Sequence, residues 1–127
     1  MYLFGGNIPA AQARLGEVQE DLCADKLHYL NLRSMTWSTI RTRGDQVLLR
    51  DEHTGIIDQE SCNMIIFGGF QQGNRTNQTA VYNFTTNSWE NVDIAPGQPI
   101  PCPRSGHSAA IFNGNMYVFG GKNDSSE

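Results

Sequence analysis

The chain repeats one short apolar segment that ends in two glycines. The three copies read MYLFGG at the N-terminus, MIIFGG from Met64 and MYVFGG from Met116. The second glycines are Gly6, Gly69 and Gly121, so the copies are 63 and 52 residues apart. Segments rich in branched and aromatic residues without helical spacing favour β-strands. The chain is therefore predicted to repeat one supersecondary unit of about 50 residues.

Two other signals keep the same phase as the glycine pairs. Trp37 and Trp89 are 52 residues apart. The segment HTGIIDQESCNMIIFGG from His53 aligns with HSAAIFNGNMYVFGG from His107, with two extra residues in its turn. The first interval is longer than the second by 11 residues, and we place the surplus between Gly6 and the next strand, as an insertion at about residues 7–25.

Each repeat is predicted to form four short antiparallel strands. The segment HSAAIFN indicates the first strand, residues 116–121 the second, 79–85 the third and 88–92 the fourth. The Asn-Gly and Thr-Asn pairs between them are typical of hairpin turns. The run MIIF is apolar without alternation, as expected for a strand covered on both faces by neighbouring sheets.

The paired glycines indicate places where the backbone has positive φ or where another backbone approaches closely. A phosphate-binding loop is the functional alternative. It requires a Lys-Ser or Lys-Thr pair at a helix start after the glycines, and GGNIP, GGFQQ and GGKND lack that pair. A structural role is therefore predicted for Gly5, Gly6, Gly68, Gly69, Gly120 and Gly121.

A strand ending in Gly-Gly, a Tyr-containing strand, a later Trp and an Arg-x-x-His segment, here Arg104 to His107, together resemble the kelch repeat of the galactose oxidase type. The resemblance implies an all-β fold, a β-propeller in which each repeat forms a four-stranded antiparallel blade around a central channel. Because His53 and His107 recur at one repeat position and Trp37 and Trp89 at another, structural roles are predicted for all four, and the tryptophans would seal one blade against the next.

The repeat pattern predicts one full blade and two partial blades. Residues 1–50 hold the second to fourth strands of one blade, residues 51–97 a complete blade, and residues 98–127 the first two strands of another. The longer hairpin after His53 leaves room for an irregular second inner strand. Remaining blades are expected from a longer chain or from other copies, because closed propellers use about four to eight blades.

Composition limits the classes of partner and the compartment. Nine Lys and Arg against thirteen Asp and Glu give a net charge of −4, which provides no attraction for nucleic acid or an anionic membrane. The cysteines, Cys23, Cys62 and Cys102, are widely spaced and odd in number, which favours reduced thiols and a cytoplasmic protein. No apolar run approaches the roughly 20 residues that span a bilayer.

Partner binding is predicted for the segments that join one blade to the next, which the resemblance places near the channel mouth. They carry Arg104 and Ser105 in one copy and Arg50 in the other. An Arg fork binds carboxylates and so suits an acidic peptide. The alternative is that Arg104 braces its own blade. Arg75, in the polar loop QQGNRTNQT, is a further candidate contact or a solvated side chain.

Enzymatic alternatives are weaker. Glu17, Asp21 and Asp25 are four residues apart and could gather carboxylates around a hard cation on one helical face. The pattern is similar to the iron-binding Glu-x-x-x-Asp-x-x-x-His of specifier-type kelch proteins, but Asp25 holds the third position and His28 lies three residues further on.

No Cys has a recognisable partner Tyr for a copper site of the galactose oxidase type, and a Ser-His-Asp triad has no specific support. The sequence thus predicts a non-enzymatic module for protein interaction or assembly, without catalytic residues, metal or cofactor. The alternatives are a purely architectural subunit of a large complex and a metal-dependent kelch enzyme or helper protein.

Overall fold

The computed structural model describes residues 1–6 and 26–124. These ranges contain strands and connecting segments but no helix, so the predicted all-β fold is confirmed, and no described helix could cross a membrane. The described strands, in chain order, are β1 Tyr2–Leu3, β2 Lys26–Asn31, β3 Thr36–Arg41, β4 Arg43–Gly44, β5 Thr54–Asp58, β6 Asn63–Phe67, β7 Phe70–Gln71, β8 Asn74–Arg75, β9 Thr79–Asn83, β10 Ser88–Val92, β11 Ser108–Phe112 and β12 Asn115–Phe119.

The middle sheet contains the complete antiparallel meander β5-β6-β9-β10. Its register is regular: Thr54 pairs with Phe67, Phe67 with Thr79, and Thr79 with Val92. The hairpin chemistry of the sequence therefore produces one four-stranded antiparallel meander.

The prediction that the second inner strand has room for irregularity is wrong. All five residues of β5 pair with β6, from Thr54 to Asp58. The two extra residues fit into the turn, where the Asp58 carboxylate accepts the N–H of Glu60 at 3.3 Å and the hydroxyl of Ser61. The longer turn is thus held by its own side chains and leaves the ladder intact.

The middle sheet also has a fifth strand that the sequence pattern did not predict. β4 pairs in parallel with β10, with Arg43 opposite Ser88 and Gly44 opposite Trp89. The N–H of Asp45 continues this pairing by donating to the carbonyl of Trp89 at 2.9 Å. Because β4 follows the last strand of the preceding sheet, backbone hydrogen bonds join the first two repeats.

Two partial sheets flank the middle sheet. The first has the order β1-β2-β3, and the third consists of the hairpin β11-β12, paired from Ser108 with Phe119 to Phe112 with Asn115. They correspond to the last three strands of one blade and the first two of another. The blade limits at residues 50 and 97 stay predictions.

The apolar core lies between the first and middle sheets. Phe4 of the first sheet packs against Trp89 of the middle sheet, with ring centroids 5.0 Å apart. Burial of apolar surface between blades is thus the main source of stability. The buried cluster consists of Phe4, Leu27, Val47, Met64, Ile66, Ala80, Tyr82 and Trp89.

Candidate interaction site

The long connections of the described blades leave from one end of the sheets. Thr54, Phe67, Thr79 and Val92 form a single row across the middle blade. The segments that precede β5, join β6 to β9 and follow β10 therefore lie at the same end. We call this end the loop face; it comprises residues 45–53, 68–78, 93–107 and 120–124. The predicted partner-binding residues Arg50, Arg75, Arg104 and Ser105 all belong to it.

The same backbone hydrogen bond occurs at both described boundaries between blades. The N–H of Gly6 donates to the carbonyl oxygen of Arg50 at 2.9 Å, and the N–H of Gly69 donates to that of Arg104 at 2.8 Å. In each case the donor is the second glycine of a pair and the acceptor begins the Arg-x-x-His segment of the next blade. The boundary is therefore specified by main-chain geometry.

The first glycine of the first two pairs lies against the next blade. A Cβ at Gly5 would lie 2.3 Å from the carbonyl oxygen of Arg50, and a Cβ at Gly68 would lie 2.7 Å from both the carbonyl oxygen of Arg104 and Cε1 of His107. Both glycines have positive φ, +70° and +64°. A side chain here would push two blades apart.

The second glycine of the last two pairs lies against its own blade. A Cβ at Gly69 would lie 2.8 Å from Cβ of His53, and a Cβ at Gly121 would lie 2.9 Å from Cβ of His107. The two glycines thus have different roles, since one allows blades to meet and the other allows the first and second strands of one blade to meet.

The two histidines occupy the same position at successive boundaries. Each ring meets the edge or face of a phenylalanine from the preceding blade: His53 meets Phe4 at 5.5 Å and His107 meets Phe67 at 5.3 Å between centroids. Nε2 of His107 also shares a hydrogen bond of 2.8 Å with the hydroxyl of Thr54 on the preceding blade. These contacts suit the structural role predicted from repetition.

Burial lowers the pKa of both histidine rings, which favours their neutral form. Burial lowers the pKa of His53, and the positive charge of Arg50 lowers it further. Burial is also the largest cause that lowers the pKa of His107, with a contribution from the charge of Arg104. A neutral imidazole packs against an aromatic ring without the desolvation cost of a charged one.

Arg50 is buried and holds three segments of the middle blade together. Only 2% of it is exposed. Its guanidinium donates to the carbonyl oxygens of Leu48, Gly68 and Gln78 at 3.2–3.4 Å and to the side-chain oxygen of Gln78 at 2.8 Å. Burial lowers its pKa to about 10, so it stays charged at neutral pH. Arg50 has no surface for the partner contact predicted for it, and a bracing role fits its contacts.

Arg104 repeats part of this arrangement at a more open position. It is half-buried, and it donates to the carbonyl of Cys102 at 3.3 Å and to the carbonyl of Gly120 at 2.9 Å. These two bonds match those of Arg50 to Leu48 and Gly68. The described residues contain no counterpart of Gln78, and a terminal nitrogen of Arg104 contacts the Cys102 sulfur at 3.2 Å instead.

A cavity of about 310 Å³ lies next to this side chain. It is lined by Cys102, Pro103, Asn123 and Asp124. Hydrogen bonds from Asn123 and Arg104 lower the pKa of the Cys102 thiol. The cavity is thus lined by the Cys102 thiol, the Asn123 amide and the Asp124 carboxylate.

Arg75 and Ser105 contact each other across the boundary between the middle and third blades. Nε of Arg75 donates to the hydroxyl oxygen of Ser105 at 3.2 Å, and the guanidinium forms an ion pair with Asp124. The Arg75 guanidinium also lies 5.7 Å from the centroid of the Phe70 ring. Ser105 is fully buried, so a partner could reach Arg75 but not Ser105.

The two tryptophans, predicted to be equivalent, have different surroundings. Trp89 is 2% exposed and packs between Phe4 of the preceding blade and Tyr82 of its own. Trp37 is 55% exposed. No described blade precedes the sheet that carries Trp37, so nothing described covers its ring.

The candidate metal ligands Glu17, Asp21 and Asp25 lie outside the described residues. His28 is described: it belongs to β2, and Nδ1 shares a hydrogen bond of 3.0 Å with the hydroxyl of Thr39. Within residues 1–6 and 26–124, no cluster of three or more His, Cys, Asp or Glu side chains could hold a metal ion.

Sequence reasoning missed the small hairpin β7-β8 on the loop face. Its central residues Gln72 and Gly73 both have positive φ, 49° and 85°, as a type I′ turn requires. An isolated bridge between Asp51 and Phe70 fixes it to the start of the inner strand. The signal that could have found it is the glycine at the second turn position, although Gln is unusual at the first.

The repeated four-stranded unit, the glycine boundaries and the recurring Arg-x-x-His contacts define the class of protein: a β-propeller repeat protein. Residues 1–127 match the family described as the KLHDC2/KLHL20/DRC7 Kelch-repeats domain. The chain therefore belongs to the kelch-repeat family, as the sequence resemblance indicated.

The chain is similar to segments of longer curated proteins. Kelch domain-containing protein 3 from Homo sapiens is 33% identical over 132 residues, an alignment that covers 97% of this chain and 31% of the relative. Host cell factor 2 from Homo sapiens is 30% identical over 109 residues, and Acyl-CoA-binding domain-containing protein 4 from Arabidopsis thaliana is 32% identical over 105 residues; these cover 82% and 80% of the chain but 13% and 15% of the relatives. The chain thus spans less than a third of these relatives.

Proposed function

We propose that the chain is a non-enzymatic protein-interaction module that binds a partner through the loop face. The observation that supports this most directly is the position of Arg104. Its contacts repeat those of the buried Arg50, yet it stays half-buried beside a cavity. Loops held rigidly by a scaffold are where binding residues concentrate in proteins.

The chemistry of Arg104 suits an acidic segment of a partner. A guanidinium has five N–H donors, and the described residues engage three of them, with Cys102 and Gly120. The remaining donors can serve a carboxylate. Arg75 adds positive charge to this surface beside the exposed ring of Phe70. Asp124 forms an ion pair with Arg75 and so reduces that charge. The blade limits 1–50, 51–97 and 98–127 and a cytoplasmic location belong to the same proposal.

The test uses labelled ten-residue peptides rich in Glu and Asp, compared by fluorescence anisotropy with Gln- and Asn-substituted peptides. Wild type should bind the acidic set more tightly. R104A should weaken binding about tenfold or more, since hydrogen bonds to charged groups contribute about 1.5–3 kcal/mol. R104K should recover part of the loss through charge alone.

K122A is the matched control because Lys122 adds a positive charge to the loop face outside the cavity. It should reduce binding much less than R104A. Circular dichroism of R104A should match wild type. Equal binding of both peptide sets would contradict the proposal, and unfolding of R104A would assign Arg104 to bracing its blade.

An architectural role is the second candidate, and the exposure of two large apolar side chains favours it. Phe119 is 84% exposed and Trp37 is 55% exposed, although both occupy positions that are buried contacts elsewhere in the repeat. In that case the ends of the chain, and not the loop face, would make the functional contacts.

A further inference from the structure

Three described side chains of the loop face hold the guanidinium of Arg75. Its Nε donates to the hydroxyl oxygen of Ser105 at 3.2 Å, a terminal nitrogen pairs with the carboxylate of Asp124, and the guanidinium lies 5.7 Å from the centroid of the Phe70 ring. Ser105 is fully buried, whereas the side chains of Arg75 and Asp124 are 23% and 61% exposed. The guanidinium is therefore anchored on its buried side, and the ion pair lies on its solvent side.

One short backbone ladder positions both the arginine and the acid. Ser105 and Lys122 exchange two backbone hydrogen bonds, of 3.0 and 2.8 Å, and Asp124 follows Lys122 by two residues. The hydroxyl that anchors Arg75 belongs to the same Ser105. The meeting of guanidinium and carboxylate across the blade boundary is thus set by the main chain of the third blade.

The repeat itself does not require an acid at this position. The preceding copy has the same ladder, in which Asp51 and Phe70 exchange two backbone hydrogen bonds. The residue two positions after Phe70, equivalent to Asp124, is the neutral Gln72. The carboxylate of Asp124 is therefore an addition to the repeat, and it pairs with an arginine of the other blade.

Another carboxylate could take the place of Asp124 on the guanidinium. Solvent-exposed ion pairs contribute little to stability, because water screens both charges. The bond from Arg75 to the buried hydroxyl of Ser105 does not involve Asp124. The guanidinium thus keeps its position during the exchange, and such preorganisation favours binding. Asp124 itself shows that the ligand accepted by Arg75 is a carboxylate.

Arg75 adjoins the contact proposed for the partner. Ser105, which anchors Arg75, is the residue that follows Arg104. A segment with several carboxylates that binds Arg104 therefore also reaches the region of Arg75. There it competes with Asp124 for the guanidinium.

We infer that Asp124 is an internal competitor of the partner: its carboxylate occupies Arg75 in the free chain, and an acidic side chain of the partner segment displaces it. The inference rests on the proposed function, since it assigns a second contact and a regulatory residue to the same site. Competition lowers the affinity for acidic segments, because the binding-competent form is only the fraction in which Arg75 is released. Loss of the Asp124 charge should therefore strengthen binding.

The test measures fluorescence anisotropy of the labelled acidic peptides with D124N, which removes the charge and keeps the size of the side chain. D124N should bind them about two- to fivefold more tightly than wild type, as the loss of an exposed ion pair predicts. Binding of the Gln- and Asn-substituted peptides should not change. The gain should disappear in an R75Q background, since no guanidinium is left to release.

E52Q is the matched control for charge. Glu52 is another exposed carboxylate of the loop face, and among described residues the ion pair of Arg75 is with Asp124. E52Q should strengthen binding by less than half as much as D124N. R75Q keeps an N–H donor for Ser105, and circular dichroism of every variant should match that of wild type. The comparison of D124N with E52Q does not depend on the folding of R75Q.

The outcomes separate this inference from the proposed function. Equal gains from D124N and E52Q, or a D124N gain that persists in the R75Q background, would overturn the inference. The proposed function would still stand if R104A weakened binding of the acidic peptides. If wild type and D124N alike bound acidic peptides no better than neutral ones, both would be overturned.

Discussion

Gly69 donates its backbone N–H to the carbonyl oxygen of Arg104 at 2.8 Å, across the boundary between the middle and third blades. The same bond joins Gly6 to Arg50 one blade earlier. Because both partners are main-chain groups, the side chains around them only have to permit the approach. This explains why the chain keeps a Gly-Gly pair at each boundary while the strand before it varies from MYLF to MIIF.

A methyl group at Gly68 should separate the middle and third blades. The G68A variant would place Cβ 2.7 Å from the carbonyl oxygen of Arg104, at a positive φ. Overpacking costs about 1–3 kcal/mol and the left-handed conformation about 1–2 kcal/mol. G114A, with positive φ but open space, should lose only the second amount. Urea unfolding followed by tryptophan fluorescence measures both, and equal losses would show that the close approach carries no energy.

Removal of the Arg50 side chain should destabilise the middle blade. R50A would leave the buried carbonyl oxygen of Gly68 without its Arg50 donor and would remove one of two donors to the carbonyl oxygen of Gln78, at a cost of about 2–4 kcal/mol. R50K keeps the positive charge but lacks the forked donors of a guanidinium. It should therefore recover only a minor part of the stability that R50A loses. The free energy of unfolding from urea titration tests this. A loss no larger than that of R104A would contradict the bracing role.

The two tryptophans should contribute different amounts to the free energy of unfolding, although they occupy equivalent positions in the repeat. W89A removes a ring that is 2% exposed and should cost about 3–5 kcal/mol. W37A removes a ring that is 55% exposed and should cost less than about 1 kcal/mol. Similar melting temperatures for the two variants would be the contrary result.

Much of the fold could be predicted because the repeat signals lie in short segments of regular structure. Phe-Gly-Gly located β6 and β12, and Tyr82 and Trp89 located β9 and β10. β4 was missed because a two-residue parallel strand has no hydrophobic period. It forms only where Gly44 allows the backbone of Trp89 to approach, and a Cβ at Gly44 would lie 2.2 Å from the Trp89 carbonyl oxygen.

The interaction residues were harder to predict because burial separates positions that are alike in sequence. Arg50 and Arg104 both begin Arg-x-x-His segments, yet Gln78 covers only Arg50. Ser105 reads as a polar loop residue but is fully buried beneath Arg75. The exposure of a loop side chain depends on which other segments of the chain pack over it. The sequence of the loop does not indicate those segments.

Stability should fall as the pH is lowered from neutral toward 5. The folded-state pKa values of His53 and His107 are lowered from 6.5, chiefly by burial. The unfolded chain therefore binds more protons below 6.5, so this stability is present above pH 6.5 and is lost as the pH falls through the lowered values. The slope of unfolding free energy against pH between 7.5 and 5 measures it. H107N should make the slope shallower, because one of the two buried imidazoles no longer titrates. A slope unchanged by H107N would show that other groups cause the pH dependence.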